Sequence, residues 1–268
     1  MSNTTPVKWP GSVLLAGALA LATGWLPAAS QASDAPPAQG NKTGSASPPS
    51  GVSDTLTARQ QAIAPIAAFA AAGDMPRLNA ALKQGLDAGL TISDSREILV
   101  QLYAYAGFPR SLNALGELMK VLEARRQRGI QDPPGQAPSR PIPTGAALLQ
   151  AGTANQTRLS GAPVKGPLFD FAPAADEYLK THLFGDIFER DNLDWQSREL
   201  ATVAMLSALA GVEPQLQAHM RISMNVGLTA AQLRQFGQVL AERVGADSGQ
   251  RAQAALARHL DTVSGAKR

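Results

Sequence analysis

The chain contains no cysteine. That absence excludes disulfides, thiolate metal ligation and any chemistry that runs on a thiol. Histidine is scarce too: His182, His219 and His259 lie far apart with no tight acidic cluster around them, so no metal site is expected. Aromatic residues make up 5% of the chain, and runs of β-branched residues, the signal for strands, are almost missing. Charge of either sign is thin. Lys and Arg number 24 against 21 Asp and Glu, a net charge of +3. No basic block or basic-aromatic pattern occurs, so nucleic acid is not an expected partner. No glycine-rich loop follows a strand, so no nucleotide site and no cofactor are expected.

What is present is apolar and helix-forming. Hydrophobic residues make up 44% of the 268 positions, with alanine and leucine prominent, a composition that favours an all-α fold. The N-terminus reads as an export signal over residues 1–32. Lys8 is the one charge before Asp34, an apolar run follows from Gly11 to Leu26, Pro27 breaks it, and Ser30-Gln31-Ala32 offers small residues for cleavage. The run is about 16 residues against the roughly 20 needed to span a bilayer. A cleaved leader and a periplasmic or secreted protein without a stable membrane anchor are expected, an uncleaved anchor being the alternative. No cysteine follows the run to carry a lipid.

Residues 33–53 are rich in Ala, Pro, Ser and Gly and lack apolar periodicity, which predicts a disordered spacer. Residues 129–167, with Pro133, Pro134, Pro138, Pro141, Pro143, Pro163 and Pro167, predict a second stretch of this kind, a linker. Two helical blocks remain, 54–128 and 168–268, and they align with each other at one constant offset. Gly73 falls on Gly211, Pro76 on Pro214, Leu78 on Leu216, Ala80 on Ala218, Gly89-Leu90-Thr91 on Gly227-Leu228-Thr229, and Gly107 on Gly245. A gapless match of this kind points to a tandem duplication of one helical-bundle domain. Its punctuation is helical: Asp194 caps a helix from Trp195 to Ala210 ended by Gly211, Pro214 enters the next in its first turn, and Gly227-Leu228-Thr229 ends that one and caps a third.

Two segments carry a resemblance. FGDIFERDNLDWQSRELATVAMLSALAGVEPQLQAHMRISMNVGLT, from Phe184 to Thr229, resembles the core motif of the carboxymuconolactone decarboxylase family. GLTISDSREILVQLYAYAGFPRSLNAL, from Gly89 to Leu115, resembles that family's next segment. The resemblance implies an all-helical, alkylhydroperoxidase D-like fold that self-associates, hence a homo-oligomer. The superfamily includes a lactone decarboxylase, and alkylhydroperoxidases that relay through Glu, a Cys-x-x-Cys pair and His. Counted back from His219, the cysteine positions hold Val212 and Gln215. A thiol peroxidase is therefore excluded by its chemistry.

His219 is the first candidate for proton transfer, because an imidazole gives and takes protons near neutrality; the alternative is a partly buried structural histidine. Glu199 stands one helix earlier, about 12 residues before the turn against about 5 after it for His219. That is a difference of about 10 Å in depth, so a bend or a subunit contact is expected if the two are to meet. Arg198 and Arg221 offer paired donors to a substrate carboxylate, or else belong to a solvated face. Tyr103, Tyr105 and Arg110 of the first half are further substrate-binding candidates, and the two tyrosines, two apart on a helix, face different ways. His182 and His259 read as surface residues. In the register of the duplication Glu199 falls on Gln61 and His219 on Ala81, while the Tyr-Ala-Gly-Phe-Pro segment of the first half finds only its glycine in Arg243–Asp247. Each half keeps a different part of the pattern, which predicts one composite site for a small-molecule substrate. Two functions fit: a cofactor-free acid–base enzyme on a small lactone or carboxylic acid, or a non-catalytic helical binding protein.

Overall fold

In a computed structural model, residues 53–265 are described. The expected export signal and all but the last residue of the spacer lie outside them. Thr57 opens the first helix, α1 (Ala58–Ala72): its hydroxyl accepts from the Gln60 N–H while the Gln60 side chain caps Thr57 in return. Asp74 caps α2 (Met75–Asp87), and Pro76 sits in the first turn, where a missing N–H costs nothing. Thr91 and Asp94 form the reciprocal cap of α3 (Ile92–Gln101). A single turn, α4 (Tyr103–Ala106), leads through Gly107 into α5 (Phe108–Gln127).

The second half repeats this layout. Asp194 caps α9 (Trp195–Ala208), followed by α10 (Glu213–Asn225), α11 (Ala230–Arg243) and α12 (Ala246–Gly265). Thr229 and Gln232 cap α11 as Thr91 and Asp94 cap α3. In the register that carries Gly73 onto Gly211, α2 falls on α10 and α5 on α12, end for end. At the turn into α10, Gly211 takes φ 80°, a left-handed conformation that a Cβ would strain.

Helices α1 and α9, which correspond in this register, pack against each other at the centre. Every residue of α1 from Ala62 to Ala71 is buried, as is every residue of α9 from Ser197 to Ser207. Helices apolar or enclosed all round cannot be covered by one half alone. The two halves accordingly share a single hydrophobic core, to which α1, α2, α3, α5, α9, α10, α11 and α12 all contribute. His259, expected at the surface, belongs to its edge. It lies on the α12 face that carries Ala252, Ala255 and Leu256, a helical i, i+3, i+4, i+7 row turned inward.

The segment expected as a linker, 129–167, is not structureless. It contains α6 (Gly145–Ser160), because its prolines stop at Pro143 and resume at Pro163, leaving a 16-residue stretch of Ala, Leu, Gln and Thr free to coil. Two short helices, α7 (Pro167–Phe171) and α8 (Pro173–Tyr178), then run into a π-helical segment, Leu179–Ile187. That segment crosses α6 at Gly152, where a Cβ would lie 1.9 Å from the Lys180 carbonyl oxygen. Asn155 of α6 donates to the Phe184 carbonyl of this segment at 2.9 Å and to the Glu189 carboxylate at 2.6 Å, tying the two elements together. Leu159, Leu183, Phe184, Ile187, Phe188 and Ile222 form a second, separate apolar cluster that docks this pair of elements on α10.

Candidate active site

Glu199 sits one turn into α9 and His219 on α10, where the row Leu216, His219, Met220, Ser223 faces inward. The imidazole Nδ1 lies 2.8 Å from Glu199 Oε2 within one chain. No bend or second subunit is needed. Glu199 is nine residues from the end of α9 at Ala208, and His219 six from the start of α10 at Glu213. At 1.5 Å per residue their depths differ by about 5 Å, half of what the sequence suggested, and the glutamate side chain spans it. Glu199 is fully buried and His219 is 7% exposed. Glu199 Oε1 has no hydrogen-bond partner, nor does the buried hydroxyl of Ser223, one turn beyond His219. Buried polar atoms left without partners cost about 1–3 kcal/mol each.

The first half closes the other side. Tyr105 of α4 presents its ring edge-on to His219, with centroids 5.7 Å apart and planes at 78°. Its phenol oxygen is 3.1 Å from the Thr202 hydroxyl of α9, and Thr202 in turn accepts 2.7 Å from Gln101 Nε2. Burial, and after it the negative charge of Glu199, push the phenol above its ordinary range; the Thr202 bond and Arg198 offset this only in part. Tyr105 also packs against both the main core and the cluster under α6, so the α6 and π elements wall the site on its tyrosine side.

Of the expected residues, the structure thus brings together Glu199, His219 and Tyr105. The others are placed elsewhere. Arg198 is fully buried and pairs with Glu97 of α3 at 3.0 Å, while donating to the Arg190 carbonyl at 2.8 Å. Arg110 donates to the Ala71 carbonyl, capping the end of α1. Arg221 is exposed on the outer side of α10, close enough to His259 to act on its charge. Tyr103 stacks on Phe108 at 4.6 Å and, like Tyr105, packs against the cluster under α6. His182 is exposed and meets Asp186 at 3.1 Å.

Four residues of the network escaped the sequence reading: Glu97, Gln101, Arg190 and Thr202. Glu97 is completely buried, and Arg190 grips it with two bonds of 2.8 and 2.6 Å. Burial alone would raise the carboxyl, but the bonds from Arg190 and Asn192 and the charge of Arg198 hold it down at about 2. The signal was the same register that set Glu199 apart. In it Glu97, Gln101, Arg198 and Thr202 fall on Gln235, Val239, Gln60 and Ala64, and Ser223 on Gly85. At the mirrored place Ile66 fills the space, its Cδ1 within 2.6 Å of where a Gly85 Cβ would stand.

Residues 173–258 match the carboxymuconolactone decarboxylase family model. The stretch runs from the start of α8 through most of α12 and includes both Glu199 and His219. The all-α architecture is the alkylhydroperoxidase D-like fold of the family. The first half, which supplies Tyr105, Gln101 and Glu97, lies outside the match. No curated protein matches the sequence.

Proposed function

We propose that the protein is a cofactor-free acid–base enzyme of the carboxymuconolactone decarboxylase type, with His219 as the proton-transfer group and Glu199 as the carboxylate that orients it. The observation that carries the reading is the asymmetry between the halves. A buried, partly unsatisfied polar cluster is costly. The corresponding helices of the first half hold Gln61, Ala81, Ala64 and Gly85 in its place and still fold. A fold that does not need the cluster keeps it for another purpose.

Of the two substrate classes that fit the sequence, a small neutral lactone is favoured over a free carboxylic acid. Arg198 and Arg110 are committed to Glu97 and to the Ala71 carbonyl, and Arg221 faces outward. Around Tyr105 stand the apolar side chains of the α6 cluster. Export to the periplasm is part of the same proposal and is supported by the Lys8-to-Ala32 pattern. So is self-association, supported by the exposed row Phe108, Leu112 and Met119 on α5. A non-catalytic binding protein is the second reading, favoured by how little of His219 reaches the surface.

A panel of small lactones and carboxylic acids, screened with wild type, His219→Ala and His182→Ala, separates the two. A general acid–base residue contributes about a hundredfold to ten-thousandfold. The enzyme reading expects at least the lower figure lost in His219→Ala with the fold intact, and little change in His182→Ala. No turnover by any of the three, or a His219→Ala protein that no longer folds, gives the lead to the binding protein, and equal turnover in all three removes His219 from the chemistry.

A further inference from the structure

The arrangement around Thr202 is more specific than packing requires. Its Oγ1 has three polar neighbours: Gln101 Nε2 at 2.7 Å, the Arg198 carbonyl at 3.0 Å and the Tyr105 oxygen at 3.1 Å. The amide nitrogen of Gln101 can only donate. The single Thr202 proton therefore has two acceptors to choose between, one helical carbonyl and one phenol oxygen. The carbonyl does not depend on it, since Gln101 Nε2 also donates there at 2.9 Å. While Tyr105 keeps its proton, the Thr202 hydroxyl is placed to donate to either oxygen, the carbonyl at 3.0 Å or the phenol at 3.1 Å. When Tyr105 loses its proton, the Thr202 hydroxyl is free to swing onto the phenolate.

We propose that Tyr105 is the site's proton donor and that Thr202, steadied by Gln101, is a positioning residue that stabilises the phenolate formed when it acts. The proposal rests on the reading of His219 as the proton-transfer group. His219 takes a proton from the substrate, Tyr105 O–H gives one to the substrate oxygen, and the Thr202 proton turns to the phenolate. Return of a proton from the imidazolium to the phenolate, whose rings stand edge to face with centroids 5.7 Å apart, then resets both. A lactone carbonyl, which gains negative charge on oxygen in such a step, is the group that this donor fits. Nothing in the other half could do the same, since Tyr105, Thr202 and Gln101 fall on Arg243, Ala64 and Val239.

The charged groups facing the phenol are Glu199 and Arg198 on α9 and His219 on α10, whereas the α6 and π wall offers it apolar side chains. The chain has three tyrosines, Tyr103, Tyr105 and Tyr178, so fluorotyrosine incorporation gives one fluorine resonance each, with phenols acidic enough to titrate while the protein stays folded. The expected result is that Thr202→Val raises the Tyr105 midpoint by about one pH unit, the worth of a hydrogen bond to a charged oxygen. Tyr103 and Tyr178 should not move, and Thr202→Ser should restore the wild-type midpoint. In the lactone assay Tyr105→Phe should lower kcat by about a hundredfold with KM nearly unchanged. A Tyr105 midpoint that ignores Thr202→Val overturns the proposal whether or not any lactone is turned over. So does full kcat in Tyr105→Phe. Failure of the enzyme reading shows separately, as turnover indifferent to His219→Ala.

Discussion

Glu97 of α3 and Arg198 of α9 meet at 3.0 Å with both side chains fully shielded from solvent. The pair joins the two halves of the chain beside the Glu199–His219 dyad. Removing one partner of a buried pair leaves an uncompensated charge and costs roughly 3–5 kcal/mol, whereas replacing both is far milder. The mirrored place shows what a neutral replacement looks like, since Gln60 and Gln235 stand there. Glu97→Gln alone should therefore destabilise by about that amount, and Glu97→Gln with Arg198→Gln by clearly less. Arg190, 29% exposed, can turn to water in both variants. Urea unfolding of the singles and the double checks this, and additive losses would mean that the pair is not the stabilising unit.

The same carboxyl sets an acid limit. Its folded value of about 2 lies below the ordinary 4.5. A carboxylate depressed on folding contributes stability that is complete above its unfolded value and fades as pH falls toward the folded one. The window is thus from about 4.5 down to about 2, and the contribution at stake is roughly 3 kcal/mol. Stability measured by denaturant between these limits should fall in wild type more steeply than in the Glu97→Gln, Arg198→Gln double variant.

Much of this architecture was legible in residue order. Helix boundaries follow from Thr91, Asp194 and Thr229 as caps and from Gly73 and Gly227 as stops, because these signals act within one turn of chain; the helix expected to run to Gly211 ends earlier, at Ala208. The repeat that sets Gly73 on Gly211 is likewise a matter of register alone. Glu199 and His219 could be named as candidates, but not joined, since a few residues' error in placing the turn doubled the apparent difference in depth. Arg198 was misjudged for another reason: its partner Glu97 lies 101 positions away, and no local pattern shows that pairing. Helix α6 was hidden by the prolines on either side of it, and Gly152 in its middle gave no hint that another backbone passes there.

His259 should titrate below its usual range. Burial is the larger cause and the positive charge of Arg221 the second. A histidine depressed on folding holds the fold back only when charged. Stability is then unaffected well above 6.5, the ordinary value, and decreases as pH falls from there through the folded midpoint, below which no more is lost. Proton NMR of the imidazole should place the His259 midpoint below the ordinary 6.5. Arg221→Gln should move it upward, and a His259 midpoint indifferent to that change would show that the two do not interact.

Gly152 is the point at which the site wall can be loosened without touching the core. A Cβ there would stand 1.9 Å from the Lys180 carbonyl oxygen and 3.0 Å from the Gly185 nitrogen, both backbone atoms that cannot rotate away. Gly152→Ala should force α6 and the π segment apart, at a cost of about 1–3 kcal/mol or more. Gly116, in α5, has nothing within 4 Å of its would-be Cβ. There the same substitution should stabilise by about 0.5–1 kcal/mol, the ordinary gain of alanine over glycine inside a helix. Because the cluster beneath α6 is separate from the main core, the damage in Gly152→Ala should be local. Limited proteolysis should cut first between 129 and 193, with most of the helical circular dichroism retained. The Tyr103 and Tyr105 rings, which both pack on that cluster, should become more accessible, and their fluorine resonances should broaden or shift. Global unfolding of Gly152→Ala would instead make α6 part of the core, and the view of it as a separable wall would have to be abandoned.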